Sequence, residues 1–143
     1  MAVGKVSSRN SISRMRNVTS GFLHCLHPHP RPPTLLTRTL DSVAQCELPE
    51  SYEELVVIEN GSRAGAEELV AELPERLNAR YMHRERGNKS YALNEALETI
   101  EDGLVVFFDD DVRVEPQVLA AYAEVAEEHG REHFFGGPVS VDR

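Results

Sequence analysis

The sequence contains no tryptophan, and only 6% of its 143 residues are aromatic. A core must therefore be built mostly from aliphatic side chains. The 41% hydrophobic content suffices for one domain of this length, but not comfortably for two. Only two cysteines occur, Cys25 and Cys46, which argues against a disulfide framework and against a zinc site. No apolar run approaches the roughly 20 residues that span a bilayer. No Gly-rich loop ending in Gly-Lys-Ser/Thr is present, so a P-loop enzyme is excluded. Acidic residues are missing altogether before Asp41, where Lys5, Arg9, Arg14, Arg16, Arg31 and Arg38 give +6. The chain totals −9, so the part from Asp41 onward carries −15. An acidic body of that size excludes a nucleic-acid surface.

The acid-free start divides the chain. Residues 1–20 are basic and Ser-rich, without hydrophobic period, and read as a disordered leader that the rest can fold without. The lack of a long apolar core argues against a secretory signal. Residues 21–143 read as one domain. His24, His27 and His29 stand at a metal-ligand spacing, but Pro28, Pro30, Pro32 and Pro33 favour an irregular segment there.

The remaining chain alternates strands and helices. Gly21–Leu26 is a weak strand, and Leu55–Ile58 and Leu104–Phe108 are undivided apolar runs of the kind buried on both faces of a parallel sheet. Ala79–His83 and His133–Val141 are further strands. Helical spacing covers Thr34–Gln45, Ala66–Leu73, Lys89 to about Ile100, and Gln117–Glu128 after Pro116. This is an α/β pattern with a mostly parallel sheet flanked by helices.

Three polar clusters follow these elements: Glu59-Asn60-Gly61-Ser62, Gly87-Asn88-Lys89 and Asp109-Asp110-Asp111. Strand carboxyl ends share one edge of a parallel sheet, so the first and third should converge. Lys89, entering a helix, suits an anion. Three neighbouring carboxylates repel one another, and a hard divalent cation, Mg²⁺ or Mn²⁺, relieves that. Alternate side chains along an extended segment share a face, so Asp109 and Asp111 can reach one ion while Asp110 points elsewhere. The competing reading is simpler: acids just before a helix favour its positive dipole end.

Five stretches carry a resemblance: Leu35–Val43, Val56–Ser62, Lys89–Asn94, Phe107–Asp111 and Gly136–Val139. Together they resemble the nucleotide-binding half of a family 2 glycosyltransferase of the GT-A fold. The resemblance implies a Rossmann-like GT-A layer, incomplete at its C-terminus. It implies a donor site of Glu59, Asn60, Lys89, Asn94, Asp109 and Asp110, with Glu59 on the base or ribose. It implies a metal-binding DxD motif of Asp109 and Asp111 holding Mn²⁺ or Mg²⁺. The donor would be a UDP-, GDP- or dTDP-sugar, transferred with inversion. The family's acceptor half and catalytic base lie beyond Arg143. No base is therefore assigned, with Asp142 and Glu132 the first to examine, and this chain alone should not turn over. A C-terminal half or a membrane-associated partner would complete the site, in the cytoplasm or at the cytoplasmic face of a membrane. Two alternatives stay open: a non-catalytic remnant that kept the pocket, and a small metal-dependent nucleotidyl- or phosphotransfer domain.

Overall fold

The computed structural model describes residues 3–6, 19–27, 34–100, 103–129 and 134–140, with β1 and β2 described by their backbone alone. The strands are β1 (Val3–Val6), β2 (Thr19–His27), β3 (Tyr52–Gly61), β4 (Ala79–Arg84) and β5 (Gly103–Asp109). The helices are α1 (Thr34–Val43), α2 (Ala66–Ala71), α3 (Lys89–Leu97) and α4 (Val118–His129), with a 3₁₀ turn at Glu75–Leu77.

One sheet runs β1-β5-β2-β3-β4. The pairs β2–β3, β3–β4 and β2–β5 are parallel, and only β1–β5 is antiparallel. The chain steps outward from β2 to β3 and β4, then returns to place β5 on the other side of β2. Strand order thus reverses at β2, and α/β folds bind ligands in the crevice outside the carboxyl ends at such a reversal.

Alternation along the central strands divides the core in two. Leu55, Val57, Leu104, Val106 and Phe108 face one side, with Leu36, Leu40 and Val43 of α1, Val70 of α2 and Leu119 of α4. Val56, Ile58 and Val105 face the other, with Ala92 and Ala96 of α3. Successive side chains of a strand point to opposite faces, so an unbroken apolar run feeds both layers. The two alanines, one turn apart and fully buried, let α3 lie close to the sheet.

The structure differs from the sequence reading in several places. Val3–Val6, inside the supposed leader, pairs with Gly103–Val106 of β5. Residues 7–18 lie outside the described part. The strand expected over 133–141 is absent from its described part, 134–140, apart from a single bridge at Phe135. Gly136-Gly137-Pro138 explains this, because glycine weakens a strand and proline cannot donate to a ladder. Finally, α3 ends at Leu97 because Thr99 and Ile100 donate to Ala96 and Leu97, three residues back, closing the helix with a tighter turn.

Candidate functional site

At the end of β3 the chain leaves the sheet through Gly61, whose φ of 91° is open to glycine at little cost. Glu59, the last charged residue before the turn, is 2% exposed, and its neighbour Asn60 is also buried. A buried carboxylate needs donors. Glu59 has two: Ala64 N–H donates to Oε1 at 2.5 Å, and the Tyr81 hydroxyl donates to Oε2 at 2.5 Å. Burial first, and then the hydrogen bond to Glu59, push the Tyr81 phenol well above its ordinary pKa. The same loop is held a second time, by His83 Nε2 against the Gly61 carbonyl at 2.8 Å. Arg63 lies over the Tyr81 ring, 5.9 Å from its centroid, and pairs with Glu67 at 2.6 Å.

At the end of β5 the sequence Phe108-Asp109-Asp110-Asp111 passes from core to surface. The strand stops at Asp109 and turns at Asp110 and Asp111, so strand alternation does not run through the triplet. Asp109 and Asp111 are exposed, and Asp110, between them, is 5% exposed. The turn, rather than the pleat, is what sets the middle acid apart from its neighbours.

The segment after the triplet is fixed from α1. Thr39 Oγ1 lies 2.6 Å from the Val112 carbonyl and 3.0 Å from that of Asp110. Ser42 Oγ accepts from Val114 N–H at 3.1 Å and donates to the Thr39 carbonyl at 2.8 Å. Sequence reasoning gave neither residue a role. A signal was present, since Thr39 and Ser42 are polar among Leu36, Leu40 and Val43 on the buried face of α1.

Lys89 opens α3, where Asn88 Oδ1 caps the helix by accepting from Tyr91 N–H at 3.0 Å. Its ammonium reaches Asp109 Oδ1 at 2.6 Å. The side chains are 40% and 51% exposed, so the pair is open to solvent and exchangeable. Arg84, at the end of β4, pairs with Glu95 and ties α3 to the same edge.

The register lines these pieces up. Asp109 stands level with His24 of β2, and one residue further along Glu59 stands level with Cys25 of β2 and His83 of β4. Glu59, Asn60, Lys89, Asp109, Asp110 and Asp111 thus gather at one edge. Asn94 does not join them as closely: it is exposed, five residues beyond Lys89, and turned about 140° around the helix from it.

Among the described residues, no three His, Cys, Asp or Glu side chains cluster closely enough to hold a metal by themselves. Magnesium-like ions, however, take only one or two carboxylates when phosphate oxygens complete their shell. Exposed Asp109 and Asp111 offer hard oxygen ligands of that kind. The residues therefore fit a divalent ion that binds together with a diphosphate.

The family model for glycosyl transferase family 2 matches residues 31–143. The chain belongs to this family. No curated protein matches it significantly. Among solved structures, S. aureus TarS 1–349 in complex with UDP-GlcNAc is similar at a TM-score of 0.65 and 23% identity, covering 78% of this chain and 32% of that one. The mannosyltransferase PcManGT from Pyrobaculum calidifontis, in complex with GDP-Man and Mn²⁺, is similar at a TM-score of 0.60 and 24% identity, covering 75% and 32%. The fold is thus the GT-A fold of these glycosyltransferases, and the chain spans about a third of the length of either structure. Among the described residues, no helix is long and apolar enough to cross a membrane.

Proposed function

We propose that this family 2 chain binds the nucleotide-sugar donor of an inverting glycosyl transfer, at the edge formed by the ends of β3 and β5 and the start of α3. The observation that carries this reading is the Lys89–Asp109 ion pair, with exposed Asp111 two residues on, at the point where strand order reverses, in a fold shared with proteins crystallised with UDP-GlcNAc and GDP-Man.

In this reading Asp109 and Asp111 hold Mn²⁺ or Mg²⁺ against the donor diphosphate. Lys89 leaves Asp109 for a phosphate oxygen, which costs little because the pair is exposed. The α3 N-terminus adds backbone N–H groups and the positive end of a dipole. Asn60 and the loop after Gly61 lie on the side of the nucleoside. The bound cation would offset the charge developing on the departing nucleoside diphosphate. Inverting transfer also needs a carboxylate to deprotonate the acceptor, and no residue of this chain is assigned that role.

Titration calorimetry with UDP and GDP, in Mn²⁺ and in EDTA, tests the reading. Binding should depend on the metal, and Asp111→Asn should weaken that metal-dependent part by about 10-fold or more, since a charged ligand is lost. Binding unchanged by EDTA would remove the metal from the site. Absence of binding to any nucleoside diphosphate would overturn the reading.

A further inference from the structure

We infer that Tyr81 and His83 of β4 are positioning residues that shape the Gly61–Gly65 loop for the nucleoside end of the donor, Tyr81 acting through Glu59. The inference rests on the donor-site reading above. It starts from the direction of Glu59. Both carboxylate oxygens are engaged inside the protein, by Ala64 N–H and by the Tyr81 hydroxyl, and the residue is 2% exposed. A side chain held in that way acts on the loop rather than reaching out to a ligand.

The loop needs such bracing. It begins at Gly61 and ends at Gly65, with φ of 91° and 95°. Glycines at both ends leave the backbone many alternatives, so its shape depends on what grips it. Two bonds do so from β4: Tyr81 to Glu59 to Ala64, and His83 to the Gly61 carbonyl at 2.8 Å. The register explains why one strand supplies both. Tyr81 stands level with Val57 and His83 with Glu59, two residues apart and so on one face of the sheet. Removing the Tyr81 hydroxyl leaves a buried carboxylate oxygen without its donor, which is costly. Outward rotation of Glu59 relieves that cost and frees Ala64 N–H and the loop.

Neither brace touches the phosphate side. Lys89 and Asp109 contact each other, and the Asp110–Val114 segment is held by Thr39 and Ser42. The effect of Tyr81→Phe should therefore be one-sided. In Mn²⁺, UDP affinity should fall roughly 10-fold, about the worth of one hydrogen bond to a charged group. Inorganic pyrophosphate affinity should stay within about 2-fold, and the preference between UDP and GDP should narrow. His83→Ala should do the same independently, and His83→Gln, which can still donate to the Gly61 carbonyl, should restore much of the loss. Circular dichroism confirms that each variant is folded.

Equal loss of UDP and pyrophosphate would mean a general structural role and overturn the inference. So would UDP binding unchanged in both Tyr81→Phe and His83→Ala. A wild-type chain that binds pyrophosphate but not UDP would overturn the nucleoside assignment. A wild-type chain that binds neither would overturn the donor-site reading and this inference with it.

Discussion

Single residues show how far chemistry can be read before neighbours are known. Asp109, Asp111 and Lys89 were legible as candidates, because a charge after an apolar strand or at a helix start is visible in the sequence. Their partners were not. The Tyr81–Glu59 bond joins residues 22 positions apart and exists only in one register of β3 against β4. Cys46 shows the same gap. In the sequence it is one of two scattered thiols; in the fold it is buried beside the Ser42 and Glu115 carbonyls, with Sγ at 3.6 and 3.7 Å. Burial pushes its pKa from 9.0 up to about 11, an effect that Arg76 partly opposes. The folded pKa is raised, so its stabilisation is complete below about pH 9 and is lost as pH climbs toward 11. By about pH 10 the loss should be on the order of 1 kcal/mol, roughly one unit's worth of proton linkage. Cys46→Ala should lower stability at neutral pH but flatten the decline between about pH 8.5 and 10. Urea unfolding across that range checks it, and an equal slope in both proteins would assign the alkaline loss elsewhere.

Elements were legible where one segment's pattern sufficed. Leu55–Ile58 and Leu104–Phe108 are unbroken apolar runs of strand length, rich in β-branched and aromatic residues, as strands covered on both faces are. The spacing of Ala92, Leu93, Ala96 and Leu97 marked α3 in the same way. What failed depended on distant neighbours or on backbone detail. Val3-Gly4-Lys5-Val6 has too little apolar character to stand out, and its place comes from an open edge of β5 some hundred residues later. The turn at Asp110 defeats an alternation that looked continuous in letters. The β1 finding also reverses an expectation about the start of the chain. Without Val3–Val6, the Gly103–Val106 edge presents unpaired N–H and C=O groups, a template for association. Each ladder bond contributes about 0.5–1.5 kcal/mol net, against the entropy of ordering the strand. Deleting residues 1–6 should therefore cost about 1–2 kcal/mol, lower the Tm by several degrees and promote self-association. Thermal melts and light scattering at several concentrations measure both, and an unchanged Tm with a monodisperse protein would show that β1 contributes nothing.

For the whole molecule, the question is whether the two sides of the sheet behave as one body. The layered α/β architecture was readable from the alternation of elements; how the layers share their strands was not, because that needs the sheet order. The structure answers that β3 and β5 each serve both clusters. In β3, Leu55 and Val57 belong to the α1, α2 and α4 side, and Val56 and Ile58 to the α3 side. In β5, Leu104, Val106 and Phe108 lie on the first side and Val105 on the second. Neither cluster can open without disturbing backbone that the other needs, so the two should unfold together. Ile58→Ala tests this from the smaller side. Ile58 is fully buried among Val56, Met82, Ala92, Ala96 and Val105. Its truncation should cost about 2–5 kcal/mol through lost burial and the cavity left behind. In a single cooperative body that loss reaches the far face undiminished. The slowest-exchanging amides of α1, which packs on the opposite side of the sheet, should speed up by the same factor as those of α3, on the order of 100-fold. Hydrogen exchange followed residue by residue gives the answer. Acceleration confined to α3, with α1 unchanged, would mean that the α3 layer opens as a separate unit, and that the site at its N-terminus can loosen while the rest of the sheet stays closed.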